Sequence, residues 1–210
     1  MKTINIAGVD IDIADGVIGA SISGGADSAI LAYILAKYAP GQLKFYSYVT
    51  EQKFRRVEKS ATRVVNKVIE LTGNNNISHQ LQYFDTQDHF KLMTFLMNKV
   101  LTKQVDIMYL AVTETPPIEI INSFNDSMEG PIFDIRDPSI IKNVYTRNRM
   151  EYNPFRNINK RVIFNMYEEL GVLDTLYPLT FSCESLDDVQ EHCGKCWWCE
   201  ERKWAFGRYI

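Results

Sequence analysis

Apolar and polar positions alternate along the first residues of the chain. Around Ala7-Gly8, every second position is apolar, namely Ile4, Ile6, Val9, Ile11 and Ile13. Alternation with a period of two on both sides of a small-residue turn predicts a short β-hairpin. The hairpin leads into an apolar run over residues 17–22, which predicts a buried strand.

Strand-like and helix-like segments then follow one another along the chain. Apolar segments predict further strands over residues 43–49, 77–84 and 105–112. Apolar positions at helical spacing predict helices over residues 29–38, 54–71, 87–103 and 158–170. Such repetition is typical of a parallel sheet with helices on both faces. The predicted fold class is therefore α/β and Rossmann-like.

The repetition stops between residues 113 and 153. Prolines interrupt any long element there, at Thr115-Pro116-Pro117, Gly130-Pro131 and Asp137-Pro138. A long irregular connection inside a compact domain is often a binding loop or a lid. We therefore expect this segment to lie on the substrate side.

Composition is that of an ordinary globular protein. The chain has 210 residues, 46% hydrophobic and 23% charged, with a formal net charge of −3. This length supports one main core, so we expect a nucleotide-binding domain over residues 1–178 and a small tail over residues 179–210. The net charge argues against broad nucleic-acid binding, and the basic side chains between residues 53 and 67 are most simply a solvated helix face. Without a membrane-length apolar run or a signal-peptide pattern, a cytoplasmic location is expected.

Six residues between the buried strand at 17–22 and the next helix carry the clearest chemistry: Ser23-Gly24-Gly25-Ala26-Asp27-Ser28. A glycine turn from strand to helix lets backbone N–H groups converge on an anion at the positive helix end. Glycines allow close approach, and serine hydroxyls add donors. The spacing fits neither a Walker loop, which ends in Lys-Ser/Thr, nor a dinucleotide fingerprint, which has a third glycine. A structural turn with a serine or aspartate cap is the alternative.

These residues resemble the S-G-G-x-D-S loop of the ATP pyrophosphatase (PP-loop) superfamily. The resemblance implies an adenine nucleotide alpha hydrolase-like domain that cleaves ATP to AMP and pyrophosphate, usually to adenylate a carbonyl or carboxylate oxygen. It also implies Mg²⁺ as counter-ion of the phosphates. The ATP-binding residues implied are Ser23, Gly24, Gly25, Ala26, Asp27 and Ser28.

All four cysteines lie in one C-terminal stretch, at Cys183, Cys193, Cys196 and Cys199. Two-residue spacings let consecutive thiolates surround one ion, and four thiolates close a tetrahedral zinc site without a position for water. We therefore expect structural zinc on these cysteines. Four free thiols and an iron–sulfur cluster are the alternatives.

The C-terminal pattern resembles that of the 7-cyano-7-deazaguanine synthase family. That family has a cysteine after a T-x-S-like segment, then C-G-x-C-x-x-C, then an arginine and an aromatic residue. The matching residues here are Thr180-Phe181-Ser182-Cys183, Cys193-Gly194-Lys195-Cys196, Cys199, Arg202 and Ala205-Phe206. Upstream, the family's proline, helix-opening lysine and helix end are matched by Pro154, Lys160 and Glu169-Leu170-Gly171-Val172.

This resemblance implies an ATP-dependent carbon–nitrogen ligase of queuosine biosynthesis. A carboxylate oxygen of 7-carboxy-7-deazaguanine attacks the α-phosphorus of ATP, which gives an acyl adenylate and pyrophosphate. Ammonia displaces AMP to form the amide, and a second ATP activates the amide oxygen so that loss of AMP leaves the nitrile. The implied partners are a deazapurine-like acceptor and ammonia. The implied catalytic residues are Ser23, Asp27 and Lys160, with the lysine placed against the leaving pyrophosphate.

The middle of the chain departs from that family. An arginine-asparagine signature is replaced here by Asp85-Thr86-Gln87-Asp88. An aspartate-tyrosine-serine-glycine-tyrosine segment is replaced by Ala111-Val112-Thr113-Glu114-Thr115-Pro116-Pro117. The family's segments are expected to contact the deazapurine, so a different carboxylate or carbonyl acceptor is the alternative.

Several of these side chains also have a plainer interpretation. Asp27 can act as a helix cap, and Lys160 can be a surface lysine at a helix start. One of Trp197 and Trp198 is expected to pack on the core. His192 would be a ligand only in place of a thiolate. Solvated side chains are expected at the basic positions of the tail, Lys195, Arg202 and Lys203.

Two other classes of function fit the same residues. Another PP-loop enzyme, such as a tRNA thiolase or an amidotransferase-type ligase, would act on a different acceptor. A thiolase needs a redox-active cysteine pair and a basic RNA-binding surface, whereas every cysteine here is assigned to the metal. A non-catalytic module would bind ATP without releasing AMP and pyrophosphate. A metal-bearing tail near the site is compatible with a homodimer.

Overall fold

The structure is a computed structural model that describes residues 1–50, 54–85, 89–125, 150–183 and 191–208. Its strands are β1 (Lys2–Ile6), β2 (Val9–Ile13), β3 (Ile18–Ser21), β4 (Leu43–Thr50), β5 (Ile77–Phe84), β6 (Ile107–Tyr109) and β7 (Glu151–Tyr152). Its helices are α1 (Ala26–Tyr38), α2 (Phe54–Thr72), α3 (His89–Leu101), α4 (Ile118–Asn125), α5 (Lys160–Glu169) and α6 (Trp197–Phe206), with a 3₁₀ turn at Tyr177–Leu179.

Five strands form a parallel sheet in the order β5-β4-β3-β6-β7. The central strand β3 pairs with β4 on one side and with β6 on the other. Because the chain leaves β3 toward one edge of the sheet and returns to its other side, a crevice opens at the carboxyl end of β3. Open α/β sheets bind their ligands at such a switch point.

Helices cover both faces of the sheet, which confirms the predicted α/β class. Phe45 and Tyr46 are neighbours on β4, point to opposite faces and are both buried. Phe45 belongs to the main core with α1, α2 and α5, whereas Tyr46 packs edge-on against Phe95 of α3 at a centroid distance of 5.8 Å. Strands buried on both faces are typical of parallel sheets.

The predicted N-terminal hairpin is confirmed. β1 and β2 pair antiparallel across the turn at Ala7-Gly8. Ile11 and Ile13 are completely buried in the main core, and the Tyr109 hydroxyl donates to the Asp12 carbonyl at 2.7 Å. The hairpin thus closes one end of the core beneath β3.

The strand predicted over residues 105–112 is wrong in length, because β6 covers only residues 107–109. After β6, the backbone groups of Val112 are paired by the side-chain amide of Asn153 and not by a neighbouring strand. Its Oδ1 accepts from the Val112 N–H at 3.2 Å, and its Nδ2 donates to the Val112 carbonyl at 3.0 Å. An amide side chain satisfies both backbone groups there without a strand partner.

The first helix begins three residues earlier than predicted, at Ala26 rather than Ala29. Asp27 and Ser28 therefore lie in its first turn and not in a connecting loop. The helix predicted over residues 158–170 is α5, and Gly171 with a φ of +69° follows its C-cap as expected.

The segment over residues 113–153 is irregular only in part. The short helix α4 starts directly after Pro117, whose carbonyl accepts from the Ile120 and Ile121 N–H groups. Proline suits this place because the first N–H groups of a helix have no partner within it. At the far end of the segment β7 joins the sheet beside β6. Residues 126–149 lie outside the described residues.

The tail packs onto the main core through α6. Phe206 lies in the same core as α1 and α5, and its ring stacks on Tyr177 at a centroid distance of 4.1 Å. The division into residues 1–178 and 179–210 stays a prediction. Across the described part of the chain, every helix is too short or too polar to span a membrane.

Candidate functional site

The segment from Ser23 to Ser28, called the loop below, runs from the carboxyl end of β3 into the first turn of α1, at the crevice of the sheet. Gly24 has a φ of +80°, and its carbonyl accepts a hydrogen bond of 2.8 Å from the Phe181 N–H. A Cβ at this position would lie 2.7 Å from the Ala61 backbone nitrogen of α2. Glycine is therefore required by both the backbone conformation and the close approach of α2.

Gly25 shows the opposite behaviour. Its φ of −78° suits any residue, and a Cβ would lie no closer than 3.4 Å to Ser23 Oγ and 3.7 Å to Ser182 Oγ. Neither backbone strain nor packing demands glycine here. Its missing side chain instead leaves open the surface of the loop that faces the cavity described below, as backbone contact with an anion requires.

The serine hydroxyls of the loop hold one another in place. Ser28 Oγ donates to the Gly25 carbonyl at 3.1 Å and accepts from the Ser23 N–H at 3.2 Å, and the two serine oxygens lie 3.1 Å apart. Gly25 N–H donates to Ser23 Oγ at 3.3 Å. These bonds preorganise the loop at the N-terminus of α1, where backbone N–H groups favour an anion.

Asp27 does not cap α1, so the plainer interpretation of this residue is wrong. The N-cap is Gly25, and it makes no side-chain capping bond. The Asp27 carboxylate, only 15% exposed, instead lies 3.5 Å from the Lys160 ammonium.

Lys160 is the first residue of α5, and it is buried rather than on the surface. Asn159 caps the helix by accepting from the Arg161 N–H at 3.0 Å, which leaves the lysine side chain free to turn toward α1 and α6. Its ammonium lies 2.7 Å from Glu201 Oε2. A lysine at a helix start is unfavourable against the helix dipole, and the two carboxylates compensate for this.

One cavity of about 210 Å³ brings the sequence-predicted residues together. Typical ligand pockets span about 300–1,000 Å³, so this space suits one end of a nucleotide rather than a whole one. All the predicted loop and lysine positions except Gly24 line it, together with α2 and the tail: Ser23, Gly25, Ala26, Asp27, Ser28, Arg56, Val57, Ser60, Ala111, Lys160, Phe181, Ser182, Cys183 and Trp198.

Arg56 is a cavity residue that the sequence interpretation missed. The basic run on α2 was expected to be a solvated face, but the Arg56 guanidinium lies 5.7 Å from the centre of the Phe181 ring and lines the cavity. Burial lowers the pKa of Arg56, while the Cys183 and Cys196 sulfurs raise it. Arg56 precedes Ser60 by one helical turn, so both side chains lie on the same face of α2. This spacing is the sequence signal for Arg56 as a cavity residue.

The four cysteines form a closed cluster. Their sulfur atoms all lie within 4.8 Å of one another, with 3.8 Å between Cys193 and Cys199 and 4.0 Å between Cys183 and Cys196. Four thiolates at about 2.3 Å from one zinc ion would be about 3.8 Å apart in a regular tetrahedron. The cluster can therefore bind zinc.

The surroundings of the cluster also suit a cation. Hydrogen bonds with Cys183 and Cys196, and then burial, raise the pKa of the Cys199 thiol. A thiol in that setting ionises readily only when a metal ion supplies the opposite charge. His192 is not one of the ligands, since its Nε2 accepts from the Ser182 N–H at 3.4 Å.

Two protein families match separate parts of the chain. Residues 12–115 match the family model described as asparagine synthase, and residues 140–210 match the one described as queuosine biosynthesis protein QueC. The first match contains the Ser23–Ser28 loop, and the second contains Lys160 and the four cysteines. Together with the Ser23–Ser28 pattern, the two partial matches support a PP-loop protein of the ATP pyrophosphatase type.

No curated protein matches the chain. Among solved structures, it is similar to an ammonia-dependent NAD synthetase from Campylobacter jejuni subsp. jejuni NCTC 11168, in complex with the nitrate ion. The likeness covers 78% of this chain and 67% of that one, with 14% sequence identity and a TM-score of 0.44.

Arg202 is buried beside the PP-loop, so the expectation of a solvated side chain is wrong for it. Only 1% of the residue is exposed, and its guanidinium lies 4.0 Å from the centre of the Tyr177 ring. It donates to Thr180 Oγ1 at 2.8 Å and to Ser182 Oγ at 3.4 Å. Arg202 thus fixes the 180–183 segment that touches the PP-loop. Lys195 and Lys203 are exposed.

The two tryptophans of the tail have separate roles. Trp197 is buried and packs edge-on against Phe124 of α4, with ring centroids 5.2 Å apart, as expected for one of the pair. Trp198 lines the PP-loop cavity, and the Lys160 ammonium lies 5.5 Å from the centre of its ring. Of the segments that depart from the synthase family, residues 86–88 lie outside the described residues, while Ala111 borders the cavity.

Proposed function

We propose that this protein is an ATP-dependent carbon–nitrogen ligase that adenylates a carboxylate and releases AMP and pyrophosphate. The observation that carries the proposal is the cavity at the PP-loop. Gly25, where neither conformation nor packing requires glycine, faces this cavity together with the start of α1. Two cationic side chains from distant parts of the chain, Arg56 and Lys160, face it as well. Backbone amides with cations around them are the usual means of holding transferring phosphates.

In this proposal the loop binds the pyrophosphate end of ATP. Backbone N–H groups of residues 24–28 and the Ser23 hydroxyl hold phosphate oxygens, while the Ser28 hydroxyl keeps the turn in shape by donating to the Gly25 carbonyl. Lys160 and Arg56 stabilise negative charge on the departing pyrophosphate. Asp27, at the edge of the same cavity, holds the Mg²⁺ that accompanies ATP. Since ATP brings its own leaving group, the protein acts mainly through position and charge.

We propose 7-carboxy-7-deazaguanine as the acceptor and ammonia as the nitrogen source. The match of residues 140–210 to the QueC family supports this choice, because that region supplies Lys160, Phe181, Ser182 and Trp198 to the cavity. The acceptor carboxylate attacks the α-phosphorus and pyrophosphate leaves. Ammonia then replaces AMP at the acyl carbon to give the amide, and a second ATP converts the amide to the nitrile with loss of AMP.

A second candidate is another PP-loop ligase with a different carboxylate or carbonyl acceptor. It is favoured by the residues near Ala111, which border the cavity and differ from the synthase pattern. The chemistry at phosphorus would be the same. Only the acceptor, and with it the product, would change.

For the four-cysteine cluster we propose structural zinc. All four thiolates would be ligands, so no position would remain for water or substrate. Residues of the cluster would hold the tail against the PP-loop, and the ion would take no part in the reaction.

The test is a product assay with ATP, Mg²⁺ and ammonia, with and without 7-carboxy-7-deazaguanine, read by mass spectrometry. We expect AMP and pyrophosphate that depend on the acid, and an amide or nitrile product. A Lys160→Met variant should lose most of this activity, whereas Lys203→Met, an exposed lysine of the tail, should keep it. AMP formation that the acid does not stimulate would contradict this acceptor. Binding of ATP without any AMP from a panel of carboxylates would indicate the non-catalytic module.

A further inference from the structure

Glu201 is an acidic residue that lies deeper than any group of the proposed mechanism. The residue is completely buried on α6, and its Oε2 is 2.7 Å from the Lys160 ammonium. Lys160 lies in turn 3.5 Å from Asp27 of the PP-loop. These three side chains connect α6, α5 and α1 by charge.

Stability alone does not explain a carboxylate at this place. Taking an ion pair out of water costs several kcal/mol per ion, and apolar side chains of similar volume often serve as well or better. Ala205 and Phe206, which follow on the buried side of α6, belong to the main core. The lysine of this pair lines the cavity, so the carboxylate fixes a group that faces the space for a ligand.

The geometry gives Lys160 a defined direction. Glu201 Oε2 lies 2.7 Å from the ammonium on the α6 side, Asp27 lies further away at 3.5 Å on the α1 side, and Lys160 lines the cavity. The Trp198 ring limits movement, since its centre lies 5.5 Å from the ammonium. A lysine side chain has several free torsions, so such a holder is needed to keep its charge in one place.

The same helix ties Glu201 to the cysteine cluster. Cys196 is the N-cap of α6, and its carbonyl accepts from the Cys199 and Glu200 N–H groups. Cys199 precedes Glu201 by two residues on that helix. The position of the cluster therefore determines where the carboxylate meets the lysine.

We infer that Glu201 is a positioning residue, which holds the Lys160 ammonium toward the nucleotide phosphates and completes the phosphate site from the metal-bearing tail. The inference rests on the proposed function only in that the cavity binds the phosphates of ATP. It adds a residue that acts through Lys160 and does not touch the nucleotide.

A double-mutant cycle tests it. Binding of α,β-methylene-ATP with Mg²⁺ is measured by calorimetry for the wild type, Glu201→Gln, Lys160→Met and the double variant. We expect Glu201→Gln to weaken binding by about 10- to 100-fold, because the Lys160 ammonium loses its nearest buried carboxylate. In the Lys160→Met background the same change should have no further effect, because the lysine is gone. Glu200→Gln, the same change one residue away, is the control.

Each result has one meaning. If Glu201→Gln weakens binding equally with and without Lys160, or leaves it unchanged, the inference is wrong. If Glu201→Gln fails to fold, as judged by melting and zinc content, Glu201→Asp takes its place in the cycle. If the protein binds α,β-methylene-ATP but forms no AMP that depends on the acid, only the ligase proposal is overturned. The double-mutant cycle would still test whether Glu201 positions Lys160. A wild type that does not bind the analogue would overturn both.

Discussion

Gly24 and Gly25 stand next to each other in the PP-loop but are glycines for different reasons. Gly24 is fixed by its positive φ and by the backbone of α2, which approaches to 2.7 Å from the place of a Cβ. Gly25 has an ordinary conformation, and a Cβ there would meet only ordinary van der Waals contacts, the shortest at 3.4 Å. The first glycine serves the fold, and the second serves the ligand.

Gly24→Ala should therefore destabilise the protein more than an equivalent change elsewhere. Alanine at positive φ costs about 1–2 kcal/mol, and the overlap with α2 should add about 1–3 kcal/mol. The free energy of unfolding in urea measures this loss. Gly8→Ala is a matched control, because Gly8 has a φ of +78° but nothing within 4 Å of its Cβ position. Equal losses in the two variants would contradict the steric role of Gly24.

The sequence predicted the chemical groups of the site better than their surroundings. The loop, Lys160 and the cysteines could be recognised because their identity and spacing are local. The burial of Lys160 and Arg202, and the part of Glu201, depend on contacts between helices far apart in the chain. Charged residues are rarely buried without a partner, and no local pattern names that partner.

Among the elements, the edge strand β5 carries an unusual histidine. His79 Nε2 lies 2.8 Å from Ser47 Oγ, which itself donates to the Ile22 carbonyl just before the PP-loop. Because the Ser47 hydroxyl proton is donated to the Ile22 carbonyl, Ser47 Oγ can only accept a hydrogen bond from the His79 ring. Burial lowers the pKa of His79 to about 4, so the neutral ring is the folded form at neutral pH.

His79 should make stability depend on pH. Unfolded histidine binds a proton with a pKa near 6.5, whereas the folded state resists it down to about 4. The contribution of neutral His79 to the free energy of unfolding is complete above pH 6.5 and is lost as the pH falls from 6.5 toward 4. We expect a loss of about 2 kcal/mol, after allowance for the partial exposure of the ring. Urea unfolding of the wild type and His79→Gln at several pH values measures it. The same pH slope in both proteins would contradict this.

Element bounds could be predicted where the local pattern decides them. β5 has the predicted limits, since residues 77–84 end at turn residues on one side and at Asp85 on the other. β6 is shorter than its apolar run because Asn153, from a distant part of the chain, satisfies Val112. Periodicity carries no information about such a replacement.

In the whole molecule, the cysteine cluster and the PP-loop behave as one structure. The cluster starts α6, α6 brings Glu201 and Arg202 into the core, and Arg202 fixes Ser182 at the cavity. Loss of the metal should therefore reach the nucleotide site, although no cysteine is proposed to contact phosphate.

Cys196→Ala should lose bound metal, melt earlier and bind α,β-methylene-ATP more weakly. If loss of one of the four ligands removes about 5 kcal/mol, roughly half of the 10 kcal/mol or more that structural zinc supplies, the melting temperature should fall by about 10–20 °C. Metal content by mass spectrometry and melting by calorimetry measure the change. Wild-type protein stripped of metal with a chelator is the control. Added Zn²⁺ should restore the metal content and melting temperature of this protein, but not those of Cys196→Ala. Full metal content with unchanged melting in Cys196→Ala would show that zinc is wrongly assigned.

The hydrogen bond between the Gly24 carbonyl and the Phe181 N–H also governs the order of assembly. A ribosome adds about 5–20 residues per second, so the glycines emerge many seconds before the segment that closes over them. Until then, the early β-α unit has no partner for its loop. Contacts so distant in sequence slow folding, and during that interval the Gly24 carbonyl of a nascent chain still waits for the Phe181 N–H.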